Sequence, residues 1–143
     1  MRGIRGISEE LDKIADPLLS TDLVRVLNAA IQITGDDYSR DWDISRAVAS
    51  YTANPHADPA LADEVARKSR ECDEAYIVLE EQGRMEESAA NYRKMFVLNG
   101  LHSLFAAPSL TPVIVDDIIY DLGHGAHSME LFAERMIQKL TSQ

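Results

Sequence analysis

Proline and glycine cut this chain into helix-sized pieces, and that punctuation constrains the fold more than any other feature. Asp16-Pro17, Asp58-Pro59 and Thr111-Pro112 read as helix starts, and Gly35, Gly83 and Gly123 as breaks. A polar cap followed by proline suits the first helical turn, where the amide proton has no partner to lose and φ is already set. The spacing predicts an all-α bundle of six to seven helices, largely antiparallel.

Size and composition fit one domain. A chain of 143 residues with 45% hydrophobic and 27% charged side chains can bury a core without disulfides or a structural metal. Residues 1–143 are therefore read as a single helical domain. Cys72 is the only cysteine, which leaves no intramolecular disulfide and points to a reducing compartment. The opening residues reach Glu9 and Glu10 before any apolar run, and no stretch approaches the ~20 apolar residues of a membrane span. The expected location is the cytoplasm, without membrane contact.

Periodicity places the elements. Ser8 caps a short helix from Glu9, with Leu11, Ile14 and Ala15 as its apolar side, which should stop near Asp16. A second helix, starting at Pro17 or recapped at Ser20 or Thr21, carries Leu23, Leu27, Ala30 and Ile31 on one face and ends at Gly35. A third, from about Asp43, aligns Trp42, Ile44, Ala47, Val48 and Tyr51 before the proline-rich loop 54–59. Thr111-Pro112 opens a helix whose inward arc is Ile114, Val115, Ile118, Ile119 and Leu122. Asp116, Asp117, Tyr120 and Asp121 fall on the opposite arc, an acidic back facing solvent. Ser128 then caps a last helix with Met129, Phe132, Ala133, Met136, Ile137 and Leu140 as its stripe.

Two long patterns lie between these. Leu61, Val65, Cys72, Tyr76 and Leu79 repeat by threes and fours over 59–82, and Met85, Ala89, Tyr92, Phe96, Leu101 and Phe105 run up to Ala107-Pro108. Joined only by Gly83 and its neighbours, they predict a long antiparallel central hairpin. Residues 83–99, GRMEESAANYRKMFVLN, resemble the second helix of a tetratricopeptide repeat, with glycine, small Ser88 and aromatic Tyr92 in matching places. Tyr76 stands where such a repeat carries a small residue, and no second copy lies about 34 residues away. Repeats of that kind cannot bury their faces singly, so the expectation is a generic helical hairpin.

Charge carries the functional reading. A net charge of −10 repels phosphates along the whole approach path and argues against direct nucleic-acid binding. The excess is concentrated: Glu71, Asp73, Glu74, Glu80, Glu81, Glu86 and Glu87 face Arg84 alone over 71–87. Such a stretch suits docking on a basic macromolecular surface, because clustered carboxylates speed association and reject acidic competitors. Glu74, Glu80, Glu81, Glu86 and Glu87 are the expected contacts, with Tyr76 and Met85 as apolar anchors and Tyr92 beside them.

A second cluster, Asp117, Asp121, His124, His127 and Glu130, mixes imidazole and carboxylate in a way that could bind zinc, manganese or iron. Neither H-E-x-x-H nor the paired E-x-x-H of di-iron bundles is present, and His127-x-x-Glu130 runs in reverse. The alternative is a solvated helix face followed by a Gly-His-Gly turn. His102 is expected as a hydrogen-bonded histidine near the inner hairpin face, and Cys72 as a small buried hydrophobe.

Three function classes follow, in this order. The first is a non-catalytic acidic binding, inhibitor or adaptor protein whose partner is a protein with a basic surface, a class that includes nucleic-acid binders. The second is a small metal-dependent hydrolase built on the cluster at 117–130. The third is a helical scaffold that self-associates as a homodimer. No complete catalytic or cofactor signature is present, so no cofactor is expected and the reading leans away from an enzyme.

Overall fold

The structure is a computed structural model that describes residues 7–142. Seven helices make up the described residues, with no strand: α1 Glu9–Thr21, α2 Leu23–Asp37, α3 Trp42–Ala53, α4 Pro59–Glu81, α5 Met85–Ala106, α6 Pro112–His124 and α7 Met129–Thr141. The all-α bundle expected from the punctuation is what forms.

Six of these helices start on a side chain that accepts from the amide three residues ahead, offsetting an amide that lacks a helical partner. The pairs are Ser8 with Leu11, Asp22 with Arg25, Asp41 with Ile44, Asp58 with Leu61, Thr111 with Ile114 and Ser128 with Leu131. Helix α5 has no side-chain cap; the turn before it sets its start. Gly83 sits at φ +74°, its N–H donates to Glu80 O at 3.0 Å, and Arg84 N–H donates to Leu79 O at 2.9 Å. This is a Schellman turn, which needs a residue without Cβ at the left-handed position.

Cross-links between α4 and α5 establish their direction. His102 Nδ1–H donates to Ala62 O at 3.1 Å, Ser69 Oγ–H to Asn99 Oδ1 at 2.6 Å, and Ser88 Oγ–H to Tyr76 O at 2.7 Å. Partner numbers fall on α5 as they rise on α4, so the pair is antiparallel. Asp58 N–H also donates to Phe105 O at 2.9 Å, which ties the loop before α4 to the far end of α5.

Helix α6 is the central element, packed on α5 and on α2, with α1 and α7 closing around it. Gly100 of α5 lies so near that a Cβ there would come within 3.1 Å of Leu122 and 3.2 Å of Asp121. The core runs through Leu11, Leu27, Ile33, Ile44, Leu101, Phe105, Ile118 and Phe132, each at most 2% exposed.

Five local expectations are corrected. Helix α1 does not stop at Asp16 but passes through Pro17 to Thr21. Leu11, Ala15 and Leu19 lie on one face and are all buried, and that burial offsets the ~3 kcal/mol an internal proline costs. Asp22, not Ser20 or Thr21, caps α2. Gly35 does not end α2, which continues to Asp37; a Cβ at Gly35 would stand 3.1 Å from Val48 Cγ1, so this glycine serves close helix packing. The acidic back of α6 is not a solvated face either. Asp116 is buried and Asp117, Tyr120 and Asp121 are half-buried, because α6 is enclosed by neighbours on more than one side. Trp42, placed on an inward stripe, is 75% exposed. No helix among the described residues is long and apolar enough to cross a membrane.

Candidate functional site

The two long helices change character along their length. Buried residues of α4 end at Cys72, and those of α5 resume at Val97; between them only Ser88 is buried. About nine residues of helix beyond Cys72, at 1.5 Å each, make an outer segment of ~14 Å that carries no apolar core of its own. Its helices are held together at Ser88, whose small side chain lets the backbones approach and bonds the Tyr76 carbonyl. Ser88 is also the small residue on which the tetratricopeptide resemblance rested.

Aromatic rings run along this segment into the bundle. Tyr76 meets Tyr92 edge to face at 5.0 Å, Tyr92 meets Phe96 at 5.2 Å, Phe96 faces His124 at 5.8 Å, and His124 stacks on Tyr120 at 3.9 Å. Such pairs are favourable at these separations. Tyr92 stays 42% exposed, and Ile77, Val78 and Met85 are 45%, 50% and 58% exposed. Phe96, expected in the inner stripe, is only half-buried, and Ala89 is exposed. The stripe rotates across α5, because its outer turns have only α4 to pack on whereas Val97, Leu98, Leu101 and Phe105 pack into the full bundle.

All seven acidic residues at 71–87 are exposed. Two are engaged locally: Arg84 Nε donates to Glu87 at 3.0 Å, and Arg67 pairs with Glu71 at 3.0 Å. Asp73, Glu74, Glu80, Glu81 and Glu86 have no ion pair among the described residues. Glu87 therefore differs from the other carboxylates expected to face a partner: it already faces Arg84.

A charged clamp anchors the outer segment's base. Lys94 of α5 reaches Asp41 at 2.8 Å and Asp43 at 3.1 Å, while Lys68 of α4 reaches Asp43 at 3.5 Å. Burial pushes the Asp43 carboxyl up, but hydrogen bonds and charge from Lys94 and Lys68 outweigh it and hold the group below its ordinary range. Lys94 is raised for the matching reason, the two carboxylates overcoming its desolvation.

The cluster at 117–130 does not assemble. His124 turns back along its helix, its Nδ1–H donating to Tyr120 O at 2.8 Å, and the favourable helix C-terminus and the Tyr120 ring hold it there. His127 sits instead against Tyr38, ring centroids 4.9 Å apart, and Glu130 is exposed in the first turn of α7. Asp121 packs towards Gly100. No three His, Cys, Asp or Glu side chains among the described residues form a group that could hold a metal ion. The hydrolase reading thus loses its ligand set, since the helical path through Gly123 and the tight turn at Gly125 send the two imidazoles to different neighbours. His102 is hydrogen-bonded to α4 as expected. Cys72 is buried and its thiol is pushed up, first by burial and then by nearby carboxylates, against the pull of Lys94; a thiol in that state is a poor nucleophile.

Sequence reasoning missed the continuity from Tyr92 through Phe96 to His124 and Tyr120. The Tyr92 and Phe96 step is visible as a four-residue spacing, but the link to α6 depends on the tertiary approach at Gly100 and Gly125. Comparison of the chain with protein-family models, curated proteins and solved structures finds no match.

Proposed function

We propose that this protein acts by binding, and that the outer hairpin segment docks on a basic surface of a protein partner. What supports the reading is a helical arm with one buried side chain that presents Ile77, Val78, Met85 and Tyr92, with the half-buried Tyr76 against Tyr92, among carboxylates without ion pairs. Exposed apolar side chains supply contact area once water is displaced, and aromatic anchors at a desolvated centre dominate such interfaces. The surrounding Glu74, Glu80, Glu81 and Glu86 steer a cationic partner and admit Arg or Lys over the Tyr faces. A second copy of the chain is a poorer occupant, because two acidic tips repel.

The test is association kinetics with a partner captured from source-cell extract. The variant Glu80→Lys/Glu81→Lys/Glu86→Lys should slow association and flatten its dependence on ionic strength, since exposed charges act over a screening length of ~8–10 Å. Glu87 is left in place so that the Arg84 pair survives. Equal rates and equal salt slopes for variant and wild type would remove the acidic tip from the mechanism.

A further inference from the structure

Where the α2–α3 turn, α5 and the α6–α7 turn meet, they enclose a cavity of about 280 Å³. Its walls are built from residues the docking surface does not use. Gly125 brings the α6–α7 turn onto α5 at backbone distance, since a Cβ there would stand 2.6 Å from Arg93 O and 2.8 Å from Val97 N. Tyr38 locks that turn by donating its hydroxyl to Gly125 O at 2.6 Å. The lock places the exposed His127 ring against Tyr38 at the cavity's edge.

Most charges bordering the cavity are already matched. Lys94 is held by Asp41 and Asp43. Asp37 accepts from His127 N–H at 3.2 Å and pairs with Arg135 at 3.5 Å. Asn91 Nδ2–H donates to Glu87 O at 2.9 Å, leaving its side-chain oxygen as an acceptor. Arg93 is different: its Nε is the one buried side-chain nitrogen with no hydrogen-bond partner among the described residues. That nitrogen is closed off from solvent, so an incoming ligand meets the rest of the fork, and a guanidinium with no carboxylate on it is matched by a planar or tetrahedral oxyanion that offers two oxygens. The Tyr38 phenol does not supply that anion, because burial, opposed by Arg93, holds it up at about 12.

We propose that this cavity binds a small oxyanion, a phosphate or a carboxylate, on the Arg93 guanidinium, with the His127 imidazole as a second donor. In a chain of net charge −10, one unmatched cation in a half-enclosed polar cavity selects a small anion over an acidic macromolecule, which the surrounding field repels. The site is independent of the hairpin tip.

Sodium phosphate and sodium acetate, each titrated into the 15N-labelled full chain at constant ionic strength in chloride, test it. The expected result is a saturable shift of the Arg93 Nε–H resonance and of His127, with phosphate alone, acetate alone or both. The anion that saturates identifies the class. Arg93→Gln, with unchanged helical circular dichroism, should bind at least roughly tenfold more weakly, as loss of a charge-assisted bidentate pair predicts; His127→Ala, at an exposed position, should bind several-fold more weakly. Non-saturating shifts with both anions overturn the proposal, as does a resonance of Arg93 Nε–H that stays fixed in the wild type. Equal affinity of folded Arg93→Gln and wild type does the same.

Discussion

The inner and outer halves of the α4–α5 hairpin belong to the same two helices, yet they are held in different ways. The inner half rests on the bundle: Leu61, Val65, Leu101 and Phe105 are buried, and Gly100 lets α6 close on it. In the outer half one serine hydroxyl, a glycine turn and edge-to-face rings hold two helices that face water on most sides. A helix in a protein is stabilised mainly by packing of an apolar face, so the outer half keeps its shape with little energy invested in any one residue. Its surface side chains are correspondingly open to another role.

Substitutions can break or sharpen that contrast. Phe105→Ala, in the inner half, should destabilise by about 3–5 kcal/mol, the range for a fully buried aromatic, seen as a lower urea midpoint. Phe96→Ala, at the junction, should cost less than half of that, because Phe96 is half-buried; equal midpoints for the two variants would erase the distinction between halves. Next in size, Gly125→Ala should cost about 1–3 kcal/mol, since its methyl would press on the α5 backbone; thermal unfolding measures it.

Smaller still is the clamp. Lys94→Met should lower stability by ~1 kcal/mol, a figure discounted for partial exposure of the pair. The pH dependence has a definite sign. Asp43 is depressed in the folded state, so its contribution is complete above the ordinary carboxylate range and is lost as pH falls through about 4 and below. Lys94 is raised, so its contribution is complete below its ordinary range and is lost as pH rises beyond about 10.5. In Lys94→Met the acid-side loss should shrink; an unchanged pH profile would show that the clamp carries no stability. Smallest of all, Glu80→Lys/Glu81→Lys/Glu86→Lys should stay within about 0.5 kcal/mol of wild type, as exposed sites do, and a large drop in urea midpoint would place these residues in the fold and not at a docking surface.

Much of the architecture was legible because it is local. Caps such as Asp58-Pro59 and Thr111-Pro112, and the glycine turn at 83, act within a few residues and survive any tertiary arrangement. What could not be read depends on partners distant in sequence. Pro17 looked like a start because the shared burial of Leu11, Ala15 and Leu19, which carries the helix through the exposed proline, is recognised only once the core exists. The acidic arc of α6 looked solvated because a helical wheel knows nothing of the neighbours that enclose it. The acidic residues at 71–87 were legible as a group, and the pairing of Glu87 with Arg84 is itself local, three residues apart at the start of α5, but the aromatic continuity into α6 and the Arg93 cavity depend on the approach of the folded turn at Gly125 to α5. His124 and His127, three residues apart in sequence, share no neighbour for the same reason.

The sparse interior of the outer hairpin also makes its length adjustable. Because Ser88 is the only buried residue between Cys72 and Val97, inserting seven residues in each helix adds nearly two whole turns and leaves the faces almost in register. The tip would move outward by ~10.5 Å without altering any core contact. The arm is in that sense a ruler: its reach, and hence how far from the bundle a partner is held, can drift over evolution or be set by design while the body of the protein stays the same.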